Sequence, residues 1–172
     1  MKKNYLYLLQ LTLLLCLFGA CVQAPQYPIE PEISFVSISK DTMIQGQTKN
    51  DDFLYLTLAF TDGDGDFGFP ENPNEVNKTI VFTDTRTQFS DQKFEIPYIN
   101  DNGAANGISG ELQIKLSTTC CIFPPDVTDV VQSCDPSNQY PVDEVVWEVY
   151  IVDRAGNMSN TLSLPPVKLL CQ

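Results

Sequence analysis

Histidine is missing from all 172 residues of this chain. Its absence excludes imidazole general-base catalysis, Ser-His-Asp triads and His-ligated zinc together. Positive charge is scarce as well, with 10 Lys and Arg against 22 Asp and Glu. So acidic a surface repels phosphate backbones and anionic headgroups, which excludes nucleic acid as a natural partner. Helical periodicity is lacking too: no stretch of ten or more residues carries an apolar stripe at i, i+3, i+4. Six cysteines are present, but no CxxC spacing occurs, and with no histidine to assist them a thiolate metal or redox site is disfavoured.

What is present begins at the N-terminus. Lys2 and Lys3 precede a mostly apolar run over 5–18, and Leu17-Phe18-Gly19-Ala20-Cys21 closes it with two small residues before a cysteine. Interrupted by Gln10 and Thr12, the run falls short of the roughly 20 residues a membrane span needs. The pattern resembles a bacterial lipoprotein signal. It implies a signal peptide over 1–20, lipidation of Cys21 and residence in the cell envelope, with the outer membrane as the expected site. Loss of 1–20 leaves 8 basic and 22 acidic side chains, a formal charge of −14. Residues 21–31 then form a lipidated N-terminus and Pro-rich tether, in which Pro25, Pro28 and Pro31 favour an extended, stiff conformation. About 140 residues remain, enough for one domain with a real core.

Over 32–172 the apolar residues alternate with period two. Leu54, Leu56, Leu58 and Phe60 share one face of 53–60. Leu112, Ile114 and Leu116 do the same in 111–117, and Val145, Trp147, Val149 and Ile151 in 145–152. Further strands are expected near 33–39, 79–83, 94–98 and 161–170, with turn-rich stretches at 45–51, 62–77, 100–110 and 124–141. About seven short strands, each with one apolar face, predict an all-β fold: an immunoglobulin-like antiparallel β-sandwich with Trp147 in its core, the alternative being a jelly-roll or partly open barrel.

The one motif with evident chemistry is Asp62-Gly63-Asp64-Gly65-Asp66. Glycines between the acids let the backbone curl until three carboxylates converge. Two like charges about 6 Å apart repel by roughly 3 kcal/mol at an effective dielectric near 20. The cluster therefore favours a cation over the alternative of a plain solvated turn, and hard oxygen ligands suit Ca²⁺, which takes six to eight oxygens. An EF-hand is excluded: Phe67 stands where that loop needs glycine, Pro73 where it needs a bidentate glutamate, and no helix flanks it. In a sandwich of this kind the loop after the 145–152 strand lies at the same end, so Asp153 and Asn157 are placed to complete the shell, with Arg154 offsetting acid by a surface ion pair. The expected affinity is weak, on the order of 10⁻⁴ to 10⁻³ M.

Setting aside the signal and Cys21, Cys120, Cys121, Cys134 and Cys171 make an even number, which implies two disulfides in an exported chain. Extending the alternation of Leu112, Ile114 and Leu116 points Cys120 inward and Cys121 outward. That favours Cys120–Cys171 with Cys121–Cys134. The segment 122–141 between them is long for a connection and is the first candidate recognition surface.

The FTDGDGDFG stretch over 60–68 and the VDRAGNMSN stretch over 152–160 together resemble surface lipoproteins of Bacteroidota with one immunoglobulin-like domain. That resemblance implies location and fold and no activity. The resulting expectation is a non-catalytic, membrane-tethered binding or structural module with a structural Ca²⁺ and an envelope protein or glycan as ligand. The alternatives are an accessory subunit of an outer-membrane uptake or secretion assembly, and a carboxylate-based glycan hydrolase. The last is disfavoured because Asp62, Asp64 and Asp66 are too close in sequence to flank a scissile bond.

Overall fold

A computed structural model describes residues 26–48, 50–70, 79–99 and 107–172. The expected signal peptide, Cys21 and the start of the Pro-rich segment lie outside the described residues. The fold is all-β, and the described residues contain ten strands and no helix.

Its backbone is two antiparallel sheets. One has the order β1 (Glu32–Ile38), β3 (Phe53–Asp62), β6 (Ile108–Ser117). The other runs β5 (Phe89–Phe94), β4 (Ile80–Asp84), β8 (Trp147–Ile151), β9 (Leu162–Ser163). A third, small sheet sets β10 (Val167–Leu170) between β7 (Val142–Val145) and β2 (Thr42–Ile44), the last pairing parallel. The inward residues of all three sheets merge into one cluster, in which Trp147, Phe82, Leu56, Leu58 and Leu169 are fully buried. Each large side chain buried in this way contributes about 1.5–3 kcal/mol.

Most expected strands are found, with corrections at their ends. The 145–152 and 161–170 strands each divide in two. In the second case Pro165 and Pro166 have no N–H to give the ladder, so the hairpin loses its pairing there and resumes in another sheet. The strand expected at 94–98 lies earlier, as β5, because Pro97 again lacks a donor. Beyond β5 the Ile96 N–H turns to Thr79 Oγ1 and the Ile99 N–H to the Phe67 carbonyl. β2 is too short to show alternation.

Two disulfides close the pole opposite the acidic turn, but their pairing is the reverse of the expected one. Cys120 bonds Cys134, and Cys121 bonds Cys171. The alternation does not continue past Ser117. Thr118 still points inward and donates to the Asp52 carbonyl, after which the chain turns toward β2. Gly46 N–H reaches the Thr119 carbonyl, and Cys121 N–H reaches Gln45 Oε1. That turn makes Cys121, not Cys120, the residue that enters the core beside Cys171.

The 122–141 segment has no strand and is held by side chains. Asp129 accepts from Ser137 Oγ and from the N–H groups of Asn138 and Gln139, while Gln45 and Gln47 donate to the Asp135 and Ser133 carbonyls. It carries Val131 on its outside, 88% exposed.

Candidate cation site at the acidic pole

Strand β3 delivers the first ligand. Leu54, Leu56, Leu58, Phe60 and Asp62 are the buried positions of one alternating face, so the ladder carries a carboxylate to the edge of the core. Asp62 is 0% exposed. The turn after it is tight because Gly65 takes a φ of 69°, a left-handed conformation that costs other residues energy. At its far end Phe67 is fully buried, with its ring 4.7 Å from that of Phe60. Anchored at both ends, the turn folds its acidic side chains toward one another.

Strand β8 delivers the fourth carboxylate. Past Ile151 the Val152–Met158 bridge closes a turn in which Asp153 N–H donates to the Asn157 carbonyl. Asp153 is 1% exposed. The two loops are joined directly: Ala155 N–H donates to Asp66 Oδ2 at 2.8 Å, and Arg154 N–H to the Asp66 carbonyl at 3.3 Å.

Asp62, Asp64, Asp66 and Asp153 each bring a carboxylate oxygen within 4.8 Å of the others. Asp64 is the exposed member. Both Asp62 oxygens and Asp66 Oδ1 are buried with no well-formed hydrogen bond among the described residues. An ionised carboxylate buried without a donor is strongly disfavoured in a folded protein. Asn157 has a different part from the one its sequence position suggested. Its backbone N–H donates to Asp153 Oδ1 at 2.7 Å and its Nδ2 to Asp153 Oδ2 at 2.8 Å, which orients that carboxylate toward the cluster.

Burial, followed by the negative charges of Asp64 and Asp66, pushes the Asp62 carboxyl up to about 7. Asp66 is raised as well, by burial and then by Asp153 and Asp64. The four groups together must take up either protons or a cation.

A pH prediction follows. Without a cation, the raised folded-state pKa of Asp62 contributes stability that is fully present below about pH 4, the unfolded value, and is lost as pH rises through about 7. Over that window the Asp62 contribution makes the metal-free protein less stable as pH rises, opposite to the usual acid-labile carboxylate. Thermal melts of wild type and Asp62→Asn in chelator between pH 4.5 and 7.5 check this; identical pH profiles would refute it.

Arg154 has contacts at this pole that its expected ion pair did not suggest. Arg154 Nη1 donates to the carbonyls of Phe67, Gly68 and Ile99, and its guanidinium lies 5.0 Å from the Tyr98 ring. It thereby gathers a third segment, 97–99, to the pole. The only available signal was its place in a turn expected at that end. Comparisons with family models, curated proteins and solved structures give no match to this chain.

Proposed function

We propose that this chain is a Ca²⁺-stabilised, disulfide-stapled module of the cell envelope, tethered through a lipid on Cys21 and acting by binding or scaffolding rather than catalysis. The observation that carries the reading is Asp62: a fully buried carboxylate with no well-formed hydrogen bond to either oxygen among the described residues, ringed by three more acids. A divalent ion satisfies these oxygens at once, and oxygen-only ligands at this density favour Ca²⁺ over softer metals.

Other features agree with it. The division of strands 1, 3 and 6 from strands 4, 5, 8 and 9 suits an immunoglobulin-like sandwich. Two disulfides suit an oxidising compartment outside the cytoplasm. The carboxylates converge on one point, whereas a glycosidase holds its pair about 5 Å or more apart across a bond. The 122–141 segment, with Val131 and Ile122 exposed, is the surface on which an envelope protein or glycan would dock.

Calcium titration tests the reading. At a hundredfold excess over Kd, Ca²⁺ adds about 2.7 kcal/mol, a rise in Tm on the order of 10 °C for a domain of this size. Asp62→Asn is expected to abolish the rise while making the chelated protein more stable than wild type near neutral pH, since it removes a buried charge and keeps the shape. An unchanged Tm at about 10 mM Ca²⁺, tenfold above the weakest expected Kd, would sink the proposal.

A further inference from the structure

The acidic turn has a neighbour outside the sandwich. Residues 26–31, the end of the Pro-rich segment, run against it instead of standing clear. Pro31 is buried and Tyr27 half-buried, while Gln26, Pro28, Ile29 and Glu30 are exposed. A Cβ added to Gly63 would lie 2.5 Å from both the Tyr27 and the Pro28 carbonyl oxygens. A Cβ on Gly107 would lie 2.9 Å from Tyr27 Cδ2 and 2.9 Å from the Asp62 carbonyl oxygen. Gly63 is the residue between Asp62 and Asp64, and Ile108, next to Gly107, pairs with Asp62 in the ladder. The segment is therefore fitted against both strands at the point where the first carboxylate enters the cluster.

Beyond Pro31 the chain is fixed by other means. Glu32 pairs with Thr61, and Ile33 is held on both sides by the Asn160 side chain, its N–H donating to Oδ1 at 2.8 Å and its carbonyl accepting from Nδ2 at 3.0 Å. Residues 26–31 can thus move without loss of β1, with Pro31 as the pivot.

From this geometry we infer that filling the acidic turn with a cation locks residues 26–31 onto the domain, so that the site controls how the sandwich is carried on its N-terminal tether. The inference rests on the cation reading above and adds a consequence to it. Without an ion, repulsion between Asp62, Asp64 and Asp66 drives the turn open. Gly63 moves with the turn, and its fit to the Tyr27 and Pro28 carbonyls leaves no room for a methyl group, so a small displacement unseats the segment. A bound cation pulls the carboxylates together and restores the fit. By linkage the effect is mutual: a seated segment tightens cation binding by the factor with which the cation favours seating.

Hydrogen exchange on the full chain, with and without about 10 mM Ca²⁺, tests it. Exchange at Ile29 and Glu30 is expected to slow by about tenfold on adding the ion, while amides of β10, which open with the whole domain, slow only by the global stabilisation that the rise in Tm reports. Gly63→Ala keeps all four carboxylates but puts a methyl where the two carbonyls sit. By the same linkage it is expected to show a Ca²⁺-dependent rise in Tm smaller than that of wild type, and to lose the slowing. A rise in wild-type Tm with no slowing at Ile29 and Glu30 overturns the inference and leaves the site standing. Equal slowing in Gly63→Ala overturns it too. If neither Tm nor exchange responds, the site itself is refuted and the coupling with it. Should Gly63→Ala fail to fold, the wild-type comparison decides alone: local slowing supports the coupling and its absence overturns it.

Discussion

Replacing Cys121 and Cys171 together by serine is expected to lower the unfolding free energy by about 4 kcal/mol, the chain-entropy value for a loop of some 50 residues. Both sulfurs are buried, so the serine hydroxyls would add a desolvation cost on top. Loss of Cys120–Cys134 should cost less, about 3 kcal/mol, because that bridge spans only 14 positions and its cysteines are less buried. Urea unfolding of the two double mutants measures the difference. Were the Cys121/Cys171 variant as stable as wild type, the claim that this bridge organises the pole would be wrong. The same unfolding curves in reductant give a second reading on the wild-type chain.

Arg86→Met is the other substitution expected to do great damage, about 3–5 kcal/mol, because it leaves the buried Asp84 carboxylate and the half-buried Asp143 without their counter-charge. Arg86 Nε and Nη2 meet Asp84 at 3.0 and 2.6 Å, and Nη1 meets Asp143 Oδ2 at 2.5 Å. Nη2 also reaches the Cys120 carbonyl, and Asp143 Oδ2 takes the Ile122 N–H. One guanidinium thus binds the end of β4, the start of β7 and the disulfide-bearing loop. The loss is expected to be partly recovered when Asp84→Asn is added, since the penalty comes from stranded charge more than from lost attraction. A double mutant no more stable than Arg86→Met alone would point to packing as the cause.

Alternation made β3 and β6 legible in the sequence, and it held more than was taken from it. Continued two residues past Phe60, the pattern of Leu54, Leu56 and Leu58 places Asp62 on the buried face. The Asp-Gly repeat reads so strongly as a turn that this parity is easily passed over. The meeting of the 62–66 and 153–157 loops followed from sandwich topology, because hairpin-connected strands return their loops to common ends. The direction of Asn157 did not follow, since one side-chain amide can offer an oxygen or a nitrogen, and only the placed carboxylate of Asp153 selects the donor. Disulfide pairing was illegible for another reason. Past Ser117 the backbone leaves the ladder, and with it goes the rule that assigns faces. β5 escaped because FSDQKF is largely polar, and an edge strand needs only one neighbour to form.

The parallel seam between β2 and β10 bears on how the molecule takes mechanical load. Cys121–Cys171 welds the root of the 122–141 segment to the residue just beyond β10, so tension applied to that segment passes covalently into that strand. β2 lies on the N-terminal side of the chain and runs the same way as β10. Pulling the two apart therefore drags them lengthwise past each other, and their shared hydrogen bonds must yield together instead of unzipping singly. A domain wired like this resists most along the axis joining its N-terminal end to the 122–141 segment.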